Sequence, residues 1–215
     1  MEEKIIKHVE LLMERYTMLE TCKEDIIKAY ALLEASYTEG YKLLVCGNGG
    51  SASDSEHIVG ELMKEFKLKR NVYAAQADAM KAIDPEMGAT LAEHLQGALP
   101  AITLTAHSSL TTAFMNDSKP VLVFAQQVNG YGRPGDCFLG ISTSGNSSNV
   151  IYAAITAKAR GLKVIGLTGA KENKLEKLAD VCIHVPETET FKIQELHLPV
   201  YHALCMMLED HFFGV

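Results

Sequence analysis

The stretch YKLLVCGNGGSASDSEH, Tyr41 to His57, decides the fold of this 215-residue chain. An apolar run, Leu43 to Cys46, stops at a cluster of three glycines, an asparagine and a serine, and a polar segment follows. Such a change is typical of a buried strand that turns tightly into a helix, because glycine permits the turn and small polar residues begin the helix. The stretch therefore predicts a strand followed closely by a helix.

Four further apolar runs follow along the chain. Each is rich in Val, Ile, Leu or Cys without strict alternation, as expected of strands covered on both faces, and helical segments separate them. The five predicted strands are Leu43 to Cys46, Ile102 to Thr105, Cys137 to Ile141, Val164 to Leu167 and Cys182 to Val185. Alternating strands and helices imply right-handed crossovers, so we expect a doubly wound α/β fold with a mainly parallel, five-stranded sheet flanked by helices.

Two segments lie outside this alternation. Apolar residues recur at helical spacing from about Glu3 to Ser36, which predicts one long amphipathic N-terminal helix over residues 3–36. The segment from Tyr73 to Gln96 is alanine-rich and is interrupted at Asp84, so we interpret it as a partly mobile excursion before the second strand. The chain length predicts a single domain over residues 1–215.

Composition argues against several classes of protein. The formal net charge of -7 disfavours direct nucleic-acid binding, since proteins that bind phosphate backbones concentrate Lys and Arg. No apolar run approaches the roughly 20 residues that span a bilayer, and the first residues lack the pattern of a signal peptide. The five cysteines are widely spaced and set mostly in apolar runs, which favours reduced core thiols over disulfides. We therefore expect a cytoplasmic protein that does not associate with membranes.

Small polar residues follow two of the predicted strands. Residues 47–51, GNGGS, follow the first strand, and residues 142–149, STSGNSSN, follow the third. Ligands of open α/β sheets bind outside the carboxyl ends of the strands, where clustered hydroxyls and a helix N-terminus favour an anion. Asn48 and Ser51 can bond sugar hydroxyls or phosphate oxygens, and Gly49 and Gly50 permit close approach. Together the two loops predict a sugar-phosphate site, although the 142–149 loop alone is more typical of a simple strand-to-helix turn.

Two better-known phosphate motifs are missing from the sequence. There is no G-K-[ST], and the glycines after the first strand do not make G-x-G-x-x-G, because Ala52 occupies the last position. A nucleoside triphosphatase and a dinucleotide enzyme are both disfavoured. We expect no nucleotide or redox cofactor.

Two predicted helices carry candidate acid-base or metal-binding residues. His57 and Glu61 are four residues apart and share one face of the helix that begins near Gly50. In the last helix Gln194 and His202 are eight residues apart, about two turns, and point in roughly the same direction. These four side chains can bind a divalent metal, or Glu61 and His202 can serve as base and acid.

The segments CGNGGSASDSEHIVGEL, GISTSGNSSNVI and QELHLPVYH resemble the SIS (sugar isomerase) domain family and, within it, the bacterial phosphoheptose isomerases. The resemblance extends over nearly the whole chain and implies a flavodoxin-like fold and a homotetramer with shared active sites, with helix 3–36 in the interface. It implies that Glu61 and His202 are catalytic. The substrate-binding candidates are Asn48, Gly49, Gly50, Ser51, His107, Ser142, Thr143, Ser144, Ser147 and Gln194. The zinc ligands implied by some members of the family are His57, Glu61, Gln194 and His202.

The sequence also departs from the family at two positions. Glu65 stands where the family often has arginine, and His107 stands where it has an aspartate. Our leading hypothesis is isomerisation of sedoheptulose 7-phosphate to a heptose 7-phosphate through an enediol, with Glu61 as the base and His202 as the proton shuttle. The alternatives are isomerisation of a different phosphosugar, a lyase on the same scaffold, and a non-catalytic sugar-phosphate sensor or scaffold.

Overall fold

The computed structural model describes residues 2–214, so both terminal residues of the predicted domain 1–215 lie outside the described range. The sheet has five strands in the order β2-β1-β3-β4-β5, and all four pairings within it are parallel. The strands are β1 Leu43–Cys46, β2 Ala101–Thr103, β3 Cys137–Ile141, β4 Lys163–Thr168 and β5 Val181–His184. The predicted doubly wound α/β fold is confirmed, and every strand overlaps its predicted run.

Helices cover both faces of this sheet. In chain order, α1 to α9 are Glu3–Arg15, Lys23–Thr38, Gly50–Met63, Ala74–Ile83, Pro85–His94, Ser108–Asp117, Val123–Tyr131, Ser148–Ala159 and Thr190–Phe213. Leu43 and Val45 belong to the core that α1, α2, α3 and α9 cover, whereas Leu44 and Cys46 belong to the core under α7 and α8. Alternate side chains of β1 thus enter opposite cores, which explains its unbroken apolar sequence. Within residues 2–214, no helix is both long enough and apolar enough to cross a bilayer.

The prediction of one helix over residues 3–36 is wrong. The chain leaves the α-helical region at Tyr16, with φ -135° and ψ 70°, and a 3-10 helix, Thr17–Cys22, joins α1 to α2. Leu19 and Cys22 stay buried in that 3-10 helix. Residues three apart share a face in a 3-10 helix and nearly do so in an α-helix, so the apolar spacing continues across the break. The apolar faces of α1 and α2 pack with α9 in one core.

The segment predicted to be an excursion forms a helical hairpin, α4 and α5, between α3 and β2. Asp84 caps α5, since its Oδ1 accepts the N–H groups of Glu86 at 3.0 Å and Met87 at 2.8 Å. Gly88 brings the two helices into backbone contact, because a Cβ at that position would lie 2.3 Å from the carbonyl oxygen of Met80. The excursion is therefore ordered secondary structure.

Candidate active site

The carboxyl ends of β1 and β3 bring the two predicted phosphate loops side by side, since these strands are neighbours in the sheet. Asn48 and Asn149 join the loops through a pair of side-chain hydrogen bonds. Asn48 Nδ2 donates to Asn149 Oδ1 at 3.0 Å, and Asn149 Nδ2 donates to Asn48 Oδ1 at 2.8 Å. The sequence analysis missed Asn149, because no local pattern links residues 101 positions apart. Asn48 thus supports the site by holding the loops together.

Residues 142–147 form a tight turn that gathers hydroxyl groups at the start of α8. The Oγ of buried Ser142 lies 3.0 Å from the Oγ of Ser147, which occupies the N-cap position of α8 without capping it. Gly145 has φ +61°, and a Cβ there would lie 2.1 Å from Cγ of Asn173, so this position requires glycine. An uncapped helix start beside hydroxyl groups is chemically suited to binding an anion such as phosphate.

The loop after β1 meets the last helix. Gly49 has φ +57° and ψ -121°, a conformation that glycine adopts readily. A Cβ at Gly50 would lie 2.4 Å from Nε2 of Gln194. The group that approaches the backbone of Gly50 closely is therefore the side chain of Gln194, in α9. Ser51 is buried, and its N–H donates to the carbonyl of Asn48 at 3.0 Å. The structure thus brings Gln194 next to the first loop.

Helices α3 and α9 bring Glu61, His57 and His202 together. His57 Nε2 lies 3.1 Å from Glu61 Oε1, and the ring centroids of His57 and His202 are 5.0 Å apart in an edge-to-face arrangement. Glu61 is 8% exposed, and Lys64 Nζ lies 3.5 Å from its other carboxylate oxygen. The predicted base and acid therefore both lie against one histidine ring, that of His57.

The surroundings of His202 favour its neutral form. Burial lowers the pKa of its imidazole, the neighbouring His57 acts in the same direction, and Glu61 opposes both. Within residues 2–214, Nε2 of His202 is buried without a hydrogen-bond partner. A neutral imidazole with one free nitrogen can both accept and donate a proton.

Tyr201 fixes the ring of His57 from the side opposite Glu61. Its hydroxyl lies 2.9 Å from His57 Nδ1 and donates to Asp54 Oδ1 at 3.3 Å. Burial raises the pKa of the Tyr201 phenol, which therefore remains a hydroxyl, and burial also raises the pKa of Asp54. The sequence analysis missed Tyr201 because a tyrosine in an apolar helix is usually a core residue.

The four predicted zinc ligands have suitable chemistry, with two imidazoles, a carboxylate and an amide oxygen, and the free Nε2 of His202 is a further point in favour. However, His57 and Glu61 are hydrogen-bonded to each other. Among residues 2–214, no group of three or more His, Cys, Asp or Glu side chains is arranged to hold an ion. The donor types fit zinc, whereas the contact between His57 and Glu61 already occupies one donor atom of each side chain.

The remaining predicted residue, His107, takes the N-cap position of α6 after β2. Its ring packs against Tyr131, with centroids 5.5 Å apart. At the other departure from the family, the backbone N–H of Glu65 donates to Gln96 Oε1 at 2.9 Å and ties the end of α3 to the base of the hairpin. Neither position supplies the charge expected from the family's residue.

Two cavities border these groups. A cavity of about 190 Å³ lies at the carboxyl ends of β3 and β4, and Thr143, Ser144 and Lys171 are among its lining residues. A second cavity, of about 470 Å³, lies between α1 and α9, where His202, Arg15 and Lys67 supply nitrogen groups. The first cavity adjoins the predicted phosphate loop at Thr143 and Ser144, and the second adjoins His202, the predicted acid.

The fold and the site define a sugar isomerase domain, and residues 75–169 match the family profile described as SIS domain. The chain is 36% identical over 210 residues to the phosphoheptose isomerase of Rhodospirillum rubrum, covering 98% of each protein. It is 33% identical to that of Akkermansia muciniphila over the full length of both. The structure of phosphoheptose isomerase from Neisseria gonorrhoeae superposes with a TM-score of 0.73 at 32% identity, covering 97% of this chain and 98% of that one. This chain belongs to the phosphoheptose isomerase family.

Proposed function

We propose that this protein interconverts sedoheptulose 7-phosphate and a heptose 7-phosphate, an aldose-ketose isomerisation. One observation carries the proposal: Glu61 and His202, from distant parts of the chain, lie against the same ring, that of His57. A non-catalytic sugar-phosphate sensor would need the phosphate loops but would not need a carboxylate and an imidazole placed together in this way. Membership of the phosphoheptose isomerase family supports the same reaction.

The two loops would hold the substrate. We assign the phosphate to the hydroxyls of Ser142, Thr143, Ser144 and Ser147 and to the N-terminus of α8, which attract an anion without a lysine. Ser51 and Gln194, together with the backbone at Gly49, would bond hydroxyls of the sugar. The substrate would thus lie between the carboxyl edge of the sheet and helix α9.

The chemistry then needs two proton transfers. Glu61 removes a proton from C1 of the ketose, and the electrons of that C–H bond form the C1–C2 double bond while the carbonyl oxygen takes a proton from His202. His202 next removes the proton from the C1 hydroxyl, and Glu61 returns its proton to C2, which yields the aldehyde. The proton count balances, and no electron leaves the sugar. A neutral His202 suits this role because it must give and take a proton in turn.

As the alternative to the acid-base roles of Glu61 and His202, we propose that His57, Glu61, Gln194 and His202 hold zinc. When bound, zinc supplies a Lewis acid that stabilises negative charge developing on a substrate oxygen. The donor set supports this assignment. Elemental analysis of the purified protein should find about one zinc per chain, and Gln194→Ala, which leaves the proposed base and acid in place, should reduce that content.

We also propose that residues 1–215 form one SIS domain and assemble as a homotetramer in the cytoplasm, with the N-terminal helices in the interface. Leu11 and Met18, in the N-terminal helical segment, are 41% and 52% exposed, which supports a partner at this surface. All five cysteines are free thiols, which supports a reducing compartment.

The proposed function is tested by isotope exchange. Wild-type protein incubated with sedoheptulose 7-phosphate in deuterated water should introduce solvent deuterium at the carbon beside the carbonyl, detected by mass spectrometry. Glu61→Gln should keep most of the substrate affinity and lower turnover about a hundredfold or more, because the amide cannot accept the proton. Glu56→Gln, on the same helix but bonded to Thr105, is the matched control and should retain turnover.

Other outcomes would assign a different function. Exchange with a different C5 to C7 sugar phosphate, and none with the heptose, would identify an isomerase of that sugar. A sugar phosphate that binds but never exchanges would contradict the isomerase proposal and favour the sensor.

A further inference from the structure

A buried ion pair joins the segment after α3 to the end of α9. Arg70 Nε lies 2.8 Å from Glu209 Oε1, and the two side chains are 0% and 1% exposed. The guanidinium also lies over the ring of Phe213, 4.9 Å from its centroid. The proposed reaction uses neither residue.

The guanidinium of Arg70 caps the helix that carries the proposed base. Its Nη2 donates to the carbonyl of Glu61 and its Nη1 donates to the carbonyl of Leu62, each at 2.8 Å. These carbonyls lie in the last turn of α3, which ends at Met63, where backbone acceptors lack partners within the helix. A cation at a helix C-terminus is also favourable for the helix dipole. Arg70 therefore fixes the backbone of Glu61 directly.

Glu209 fixes a neighbour of the proposed acid. Its Oε1 accepts the N–H of Phe66 at 2.8 Å, and its Oε2 accepts the N–H of Lys67 at 2.9 Å. The Phe66 ring in turn packs against the ring of His202, with centroids 5.3 Å apart. One ion pair thus reaches the backbone of the base and, through Phe66, the ring of the acid.

Stability alone does not account for this pair. Removing two charges from water costs several kcal/mol per ion, and well-packed apolar side chains of similar volume often replace a buried pair without loss of stability. Apolar side chains could not replace the hydrogen bonds that Arg70 donates to two backbone carbonyls and that Glu209 accepts from two backbone N–H groups. The pair therefore fixes the orientation of the end of α3 and of the segment that follows it relative to α9.

We propose that Arg70 and Glu209 are positioning residues that clamp the end of α3 to α9 and so set the placement of Glu61 relative to His202. This inference rests on the proposed roles of Glu61 and His202. It predicts a loss of turnover without a matching loss of substrate binding, since the phosphate loops lie at the other end of α3 and at α8.

The test is the double variant Arg70→Met/Glu209→Leu, which removes both charges and keeps apolar volume. It should unfold cooperatively and should lower kcat about tenfold or more, because small misplacements of reacting groups are costly, while KM changes by less than about twofold. The matched control is Lys42→Met/Asp136→Asn, which breaks the partly buried ion pair of 2.6 Å between the residues preceding β1 and β3. That control should keep the wild-type kcat.

Arg70→Lys provides a second route if the double variant does not fold. Lysine keeps the charge but cannot bond the carboxylate and both carbonyls in the geometry of the guanidinium, so kcat should again fall. A readout independent of turnover is the nuclear Overhauser contact between the Phe66 and His202 rings, which should be present in wild type and lost in either variant. A folded variant with wild-type kcat and an intact ring contact would overturn the clamp. An inactive wild type that keeps the contact, with loss of the contact in the variants, would contradict the proposed function alone.

Discussion

Ser142 is buried, yet its hydroxyl is predicted to contact the phosphate of the substrate. It is 4% exposed at the end of β3, and its hydroxyl meets that of Ser147 at the start of α8. Gly145 closes the turn between them, where its N–H donates to the carbonyl of Ser142 at 2.9 Å. Ser142, Gly145 and Ser147 therefore contact one another within the turn, and phosphate binding would be a second function of the two hydroxyls.

The phosphate assignment is testable with two alanines. Ser142→Ala and Ser144→Ala should each weaken sugar-phosphate binding by about tenfold or more, because a hydrogen bond to a charged group contributes roughly 1.5 to 3 kcal/mol. Titration calorimetry measures the change, and Ser118→Ala, an exposed serine at the end of α6, is the control. Unchanged affinity in both variants would reduce the loop to a strand-to-helix turn.

At the scale of elements, the hairpin of α4 and α5 depends on one close contact. Gly88 is buried against the backbone of Met80 and Lys81, where a Cβ would lie 2.3 and 2.6 Å from backbone atoms. Backbone atoms cannot move aside as a flexible side chain does, so any larger residue must separate the two helices.

Gly88→Ala should therefore destabilise the hairpin by about 1 to 3 kcal/mol. Hydrogen exchange should show faster local opening of α4 and α5, measured peptide by peptide. Gly130→Ala in α7 is the control, because a Cβ there meets no atom within 4 Å, and the gain in helix propensity should leave stability unchanged or slightly higher. Equal effects of the two substitutions would contradict the role of Gly88 as a contact residue.

At the scale of the whole molecule, we expect His197 to make stability depend on pH. It is fully buried in α9, and burial lowers its pKa from 6.5 to about 4. Between these values the unfolded chain binds the proton more readily than the folded one, so we expect no destabilisation from His197 above about pH 6.5 and an increasing loss of stability as the pH drops towards 4. The shift corresponds to roughly 3 kcal/mol.

His197→Leu should remove this part of the acid sensitivity. Chemical denaturation at several pH values between 4 and 7 measures the slope, which should be shallower in the variant than in wild type. Exposed His94→Gln is the control and should keep the wild-type slope. Parallel slopes for His197→Leu and wild type would show that other groups cause the acid sensitivity.

The assembly is a second prediction at this scale. Light scattering at micromolar concentration should give the mass of four copies of the 23.5 kDa chain. Met18→Glu should weaken the tetramer by placing a charge in the proposed interface, whereas Glu39→Gln at the end of α2 should not. A monomer in the wild-type protein would contradict both the tetramer and the shared site.

The sequence by itself determined the five strands, the alternation of strands with helical segments, and the two loops. A strand buried on both faces must be apolar throughout, and a tight turn into a helix must use glycine and small polar residues, so both features are visible locally. Spacing also placed Glu61 with His57, because residues four apart share a helix face.

Only the tertiary structure decided which distant residues meet. The break at Tyr16 was hidden, because Leu19 and Cys22 remain buried and keep the apolar spacing. Asn149, Tyr201 and the Arg70–Glu209 pair act through partners more than 100 residues away. A sequence pattern reports whether a side chain is buried and which way a helix face points, whereas a hydrogen bond between two helices depends on how their packing sets distance and direction.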